Sequence, residues 1–502
     1  PEPSSPPQPA ANPAEQASTV IVQRRRLMTE HCSQRISEGE YPGRVSDPLA
    51  RRRLRDLAGR ERAALDARTP TSARRHERAS SVLAGGVASS FQLREPWPIH
   101  LSHGAGARVW DVDGNEYLDF HNGFSSMLQG HAHPAIVAAV ARRHARGAHF
   151  AAPTEDTVVV AEELARRWGL ARWRFTNSGS ESTMGAIRIA RALTGRPDVL
   201  RIFGSYHGHH DTVLVGIGAG HGAGVPRSTV DEVHNVEFND ALAMERRISQ
   251  LDREGRKPSC VIMEAAMTNL GVVLPREGYL EAVREVTRRH GVLLIFDEVK
   301  TGLAIAAGGA VERFGVRPDM VTLAKTLGGG LPVGAIGMTE RAARVVEDGS
   351  VHLFGTYNGN PLGMAAARAN LLEVLTPAAY RRLAALNERL MSACAAVIAE
   401  QRLPACTAGI GSKGCVTFGA EPVVDHRSFK RRHDPELTEL AWLWSMNRGL
   451  LVTPGREPEW NLTVAHDEAA VDRYAEVFAE LAAELSGRAA ELSPRPFGSA
   501  RA

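Results

Sequence analysis

Residues 291–302 read GVLLIFDEVKTG, and residues 314–337 read FGVRPDMVTLAKTLGGGLPVGAIG. Each holds a short apolar run that ends on a charged side chain: Val292–Phe296 delivers Asp297, and Met320–Leu323 leads to Lys325. Such runs, bounded by glycine and polar residues, predict strands buried on both faces. Outward from them, further strands are predicted at Trp173–Thr176, Leu200–Phe203, Cys260–Met263 and Ala335–Met338. Helical periods fall between and after them at Asp156–Trp168, Ser180–Leu193, Tyr279–Arg289 and Pro361–Leu375. Apolar strands alternating with amphipathic helices predict an α/β fold, a mainly parallel sheet covered on both faces. Arg108–Asn115 predicts a strand entering a tight turn at Gly114, and Cys415–Phe418 and Leu450–Thr453 predict late strands in a smaller α+β domain.

The division expected is a large domain over 151–365 and a small one built from 81–150 and 366–490. Residues 46–80 read as an Arg-rich helical extension, packed on the body or on a partner subunit. Residues 1–45, which begin with a proline-rich stretch, and 491–502 read as tails without a core. The 60 basic and 57 acidic side chains leave a net charge of +3, which implies no nucleic-acid surface. No apolar run is long enough for a membrane-spanning helix. The five cysteines are scattered and include no closely spaced pair, which reads as a reduced, cytoplasmic protein without a thiolate metal site.

Four polar clusters follow predicted strands, where an open parallel sheet binds its ligands. Thr176–Glu181 places small residues at a helix start, where N–H groups suit a phosphate; taken alone, it reads equally as an ordinary helix cap. Asp297 is placed to pair with a protonated ring nitrogen; taken alone, it reads more simply as a cap or a surface ion pair. Lys325 precedes three glycines, and a partly desolvated lysine there can attack a carbonyl. The basic residues are almost all arginine, which forms no imine, so the candidates are only Lys257, Lys300, Lys325, Lys413 and Lys430. Lys300 is the one rival, because it shares the loop after Asp297. The fourth cluster, Ser205–Asp211, offers Tyr206 to stack on a flat ring, while His207, His209, His210 and Asp211 form a weaker metal-site pattern. A phosphate cradle, a stacking ring, an anion and a strand-end lysine together fit pyridoxal 5'-phosphate.

The chain resembles the class III aminotransferases of pyridoxal-phosphate fold type I, in the branch of glutamate-1-semialdehyde aminomutases and β-amino-acid aminotransferases. The resemblance rests on both opening stretches together with DVDGNEYLDF (111–120), GHAHPAI (130–136), RFTNSGSESTMGAIRIAR (174–191), SYHGHHD (205–211) and GTYNGNPLGMAAA (355–367). It implies Lys325 as the Schiff-base lysine and Asp297 as the partner of the pyridine nitrogen. It implies Tyr206 against the ring, Ser178, Gly179 and Ser180 on the phosphate, and Glu264 near the cofactor. Thr356 would reach the cofactor of a neighbouring subunit, so a homodimer with shared sites is implied. His207 would support the loop beside Tyr206.

The departures concern the substrate. The aminomutase pattern has an arginine where this chain has Gln92, and its gating glutamate falls at Pro458. An amide cannot supply the charge-assisted fork of a guanidinium. Gln92, Phe124 and Arg456 are the candidate substrate residues, and Arg456 resembles an arginine that β-amino-acid enzymes use for carboxylates. The expected activity is transfer of an amino group between a small amino donor and a keto acceptor. Intramolecular amine transfer, as in the aminomutases, is the alternative.

Overall fold

A computed structural model describes residues 48–215, 222–455 and 458–487. The tails expected at 1–45 and 491–502, and Arg456, lie outside the described residues. Seven strands form the central sheet: β4 (Arg172–Thr176), β5 (Val199–Ile202), β6 (Val233–Val236), β7 (Cys260–Met263), β8 (Leu293–Asp297), β9 (Met320–Leu323) and β10 (Gly334–Met338). Their order is β4-β10-β9-β8-β7-β5-β6. β10 runs antiparallel to both β9 and β4, and every other pairing is parallel. Strands β4, β5, β7, β8 and β9 therefore all end at one edge.

Every residue of β7, β8, β9 and β10 is buried, so these strands need no alternation of polar and apolar side chains. The helices Glu155–Trp168, Gly179–Thr194, Ala241–Arg253 and Tyr279–His290 bury one face each and solvate the other. Three of them stop where Gly169, Gly195 and Gly291 take left-handed conformations that a side chain would strain.

Two smaller sheets follow. In the first, β1 (Leu101–Ala105), β2 (Arg108–Asp111) and β3 (Glu116–Asp119) are joined by β13 (Leu450–Leu451), which pairs in parallel with β3. The second is β11 (Ala405–Ile410), β12 (Lys413–Phe418) and β14 (Glu459–Asn461). The strand expected over Leu450–Thr453 stops at Leu451: the Val452 carbonyl accepts the Trp442 indole N–H at 3.0 Å instead. The helix expected over 361–375 stays α-helical only over Pro361–Ala369 and then widens into a π turn, Asn370–Val374. β6 reads VHNV, too polar for an apolar run, and its His234 is satisfied by Asp198 at 2.7 Å.

The Arg-rich extension forms two helices, Pro48–Ala67 and Pro70–Ser80. The first buries Leu54, Leu57 and Leu65 and packs on the helix Pro435–Asn447 of the same chain. Its arginines pair with acids of that helix and its cap: Arg51 with Asp434 at 2.9 Å, Arg55 with Glu436 at 3.0 Å, and Arg62 with Glu439. No helix among the described residues is long and apolar enough to cross a membrane.

Candidate active site

Asp297 ends β8 and is buried. Its Oδ2 contacts Nδ1 of His207 at 2.6 Å, and its Oδ1 accepts the Thr322 hydroxyl at 2.9 Å and the Val299 N–H at 3.1 Å. Burial alone pushes such a carboxyl up, but the His207 contact, Val299 and Thr322 together hold it below the usual carboxylate range. Asp297 therefore carries a charge at neutral pH. His207 does more than support its loop, since its Nδ1 meets the Asp297 carboxylate. No local pattern announces this, because the two residues stand 90 apart in sequence and meet only through the strand order.

Lys325 lies two residues beyond β9, with φ at +48°, a left-handed conformation rare for a lysine. Burial, then the nearby Lys300, lower its ammonium to a pKa of about 8, against the opposing pull of Asp297 and Glu264. Lys300 itself donates to the Thr268 carbonyl and stands 4.0 Å from Glu459. Glu264 follows β7, is buried, and accepts from Thr268 N–H and hydroxyl at 2.9 Å each and from Asn269 at 2.7 Å.

Ser178 caps the helix Gly179–Thr194, its hydroxyl accepting the Glu181 N–H at 3.2 Å. The first N–H groups of that helix have no intrahelical acceptor. A Cβ on Gly179 would stand 2.7 Å from the Val299 side chain, and one on Gly208 would stand 2.6 Å from the Ser180 hydroxyl. Three loops thus converge as closely as bare backbone allows. Ser180 accepts the His209 N–H at 3.2 Å, and Thr183 donates to the His207 carbonyl at 2.6 Å. Buried Arg201, on β5, donates to the Val215 carbonyl at 2.6 Å and the Ser205 carbonyl at 3.3 Å, bracing the turn before Tyr206.

Tyr206 is half-buried, and burial, then Asp297, raises its hydroxyl pKa. Phe91 meets it edge-on at 5.7 Å between centroids; Phe124 lies 5.3 Å from Phe91 and 4.3 Å from His121. Gln92 is exposed, and its carbonyl accepts N–H from Ala88 and Ser89 at 3.1 and 3.3 Å. Thr356 is exposed, between Phe354 at 87% and Tyr357 at 59% exposure. The metal-site pattern after β5 disperses: His207 goes to Asp297, while His210 lies 3.3 Å from the Thr183 hydroxyl. No cluster able to hold a metal forms among the described residues.

These residues fit pyridoxal 5'-phosphate: free helix N–H groups suit the phosphate, the Asp297 charge suits a protonated ring nitrogen, and the lowered Lys325 suits an aldehyde. The family model for class III aminotransferases matches residues 91–417. A glutamate-1-semialdehyde 2,1-aminomutase of Methanocaldococcus jannaschii is 36% identical over 79% of this chain and 94% of its own. Another, from Thermus thermophilus, is 39% identical over 82% and 98%. Among solved structures, a glutamate-1-semialdehyde aminomutase of Pseudomonas aeruginosa aligns with a TM-score of 0.81 at 31% identity, covering 86% of this chain and 98% of that one. An omega-transaminase from Sphaerobacter thermophilus aligns with a TM-score of 0.76 at 32% identity, covering 82% and 97%. The chain belongs to the class III aminotransferases, the pyridoxal-phosphate enzymes that its strand-end lysine and aspartate point to.

Proposed function

We propose that this protein moves an amino group from a β- or ω-amino acid, or an amine, to a keto acceptor, in two half-reactions at one site. The observation that carries this reading is the state of residue 92. Where the aminomutase pattern has an arginine for a carboxylate, Gln92 turns its side-chain carbonyl onto the N–H groups of Ala88 and Ser89. Pro458, at the gating position, has no group to titrate. A site without that guanidinium and that gate is less suited to holding one substrate through an internal transfer.

Pyridoxal 5'-phosphate supplies the carbonyl carbon that takes the amine and a ring that draws electrons from the substrate carbon. Lys325 contributes a nucleophilic amine: with its pKa about 8, about a tenth is neutral at pH 7, far more than for an ordinary lysine. With the cofactor bound, the Lys325 Nζ would carry the proton away from the substrate carbon and return it later in the transfer. Asp297 keeps a proton on the ring nitrogen through its charge. Tyr206 offers a flat face to the ring, and Phe91 and Phe124 close the substrate side. Ser178, Gly179 and Ser180 hold the phosphate, and Glu264 orders the 264–269 loop beside Lys325.

In this reading residues 151–365 form the cofactor domain, and 81–150 with 366–490 the smaller one. The active unit is a homodimer in which Thr356 serves the neighbouring site. The exposed aromatics Phe354 and Tyr357 support it, as does the ring contact of Tyr357 with His149 at 4.7 Å, beside exposed Phe150.

The second reading, intramolecular amine transfer, is favoured by the aminomutase names of the relatives above. An isotopically labelled amino donor, incubated with unlabelled keto acceptor, separates the two. Label in the acceptor's product supports transfer between molecules. A rearranged product that keeps its own nitrogen, with no second substrate present, overturns it.

A further inference from the structure

The reaction as proposed leaves one buried amine without a task. Lys413 opens β12 and is only 3% exposed. Burial, then its neighbour Lys300, pushes it well below the usual lysine range, with Lys325 adding to the effect. Its Nζ donates to two neutral oxygens, the Ser125 hydroxyl and the Asn461 side-chain carbonyl. Ser125 in turn donates to that Asn461 oxygen at 2.6 Å. Three buried polar groups from three distant segments thus close a triangle.

Ser125 ends a strained turn. Asn122, Gly123, Phe124 and Ser125 all have positive φ, at 50°, 55°, 56° and 69°. For residues other than glycine a left-handed turn costs roughly 1–2 kcal/mol each, so it persists only where surrounding contacts hold it. Those contacts can be traced. At its start, Asp119 accepts the N–H groups of His121 and Asn122 at 2.9 and 2.7 Å. There too, Asn122 donates its side-chain amide to the Asn461 backbone carbonyl. At its end stand Lys413 and Asn461. The Ser125 carbonyl also accepts the Thr326 hydroxyl at 2.9 Å, next to Lys325. The turn carries Phe124, whose ring faces Phe91 and His121.

We propose that Lys413 is a positioning residue: through Ser125 and Asn461 it locks the left-handed turn 122–125 and so fixes Phe124 in the substrate-side wall. The assignment of that wall to the substrate rests on the function proposed above; the lock itself does not. The Nζ of Lys413 bonds to Ser125 and Asn461. It bears on the reaction through the turn and through the Ser125–Thr326 bond.

The test compares Lys413→Met, Ser125→Ala and the double variant. Hydrogen exchange on the full chain without cofactor reads the lock directly. Amides of 121–127 are expected to exchange about tenfold faster or more in each variant, with those of β7, β8 and β9 unchanged. In the holoenzyme the KM for the amino donor is expected to rise about tenfold, with kcat within about threefold. The double variant should be no worse than the worse single one, because both remove the same lock. Unchanged exchange in both single variants overturns the proposal, and so do effects that multiply. Should Lys413→Met fail to fold, Ser125→Ala alone decides by the same exchange criterion. If no donor reacts with the unaltered enzyme, the function fails while the exchange result still judges the lock.

Discussion

Lys325 and Asp297 divide one electrostatic problem between them. Asp297 is buried and Lys325 half-buried, and each is shifted toward the state the chemistry needs, the lysine toward neutrality and the aspartate toward charge. The lysine shift has a consequence for stability. Its native pKa of about 8 lies below the ordinary lysine value, so between about pH 8 and 10.5 the unfolded chain binds more protons. The Lys325 contribution to stability therefore rises with pH across that window. Chemical unfolding of the cofactor-free protein, compared with Lys325→Met, should show this rise in the former and a smaller one in the variant; parallel curves contradict it. For the aspartate, His207→Ala leaves the buried carboxylate without its main partner and should cost about 3–5 kcal/mol. A loss under about 1 kcal/mol in the same assay would mean that the pair is not coupled. Both strand-end residues are legible in sequence because each follows an apolar run. His207 as the partner of Asp297, and Lys413 as a lock, are not, since each meets its partner only after distant strands assemble.

At the scale of elements, the helix start at Gly179 has no room for a side chain against Val299. Gly179→Ala should crowd the cradle and weaken retention of the cofactor, seen as a higher concentration needed to restore the imine absorbance, while the melting temperature of the cofactor-free protein changes little. Full retention of the cofactor would contradict the cradle. The helix Pro48–Ala67 is held by its apolar stripe more than by its arginines. Leu65→Ala should cost about 2–5 kcal/mol, because Leu65 is fully buried. Arg62→Ala removes an exposed pair with Glu439 and should change stability within error. The reverse order in denaturant midpoints would refute this account. This helix was readable from its amphipathic period. β6 was not, because VHNV has no apolar run, and the end of β13 was not, because the Trp442 indole takes the next carbonyl.

For the whole molecule, the strand order explains why the site forms where it does: six strands of the sheet run the same way, and five of them deliver Thr176, Phe203, Glu264, Asp297 and Lys325 at one edge. The α/β layering could be read from the alternation of runs and helices, and the cofactor from the polar clusters that follow the strands. The meeting of Phe91 with Phe124 and Tyr206 could not, since it joins three segments that share no sequence pattern. The exposed Phe354 and Tyr357 make the proposed dimer testable: Phe354→Asp should shift the protein to monomers in light scattering and reduce activity. A fully active dimer would remove that surface from the interface. The most direct measurement is a screen of amino donors on purified enzyme loaded with pyridoxal phosphate, following the imine absorbance with no keto acid present. The account predicts that β- or ω-amino acids or amines bleach the band, and that a keto acid restores it. An intact imine band that no donor bleaches would contradict transfer between molecules.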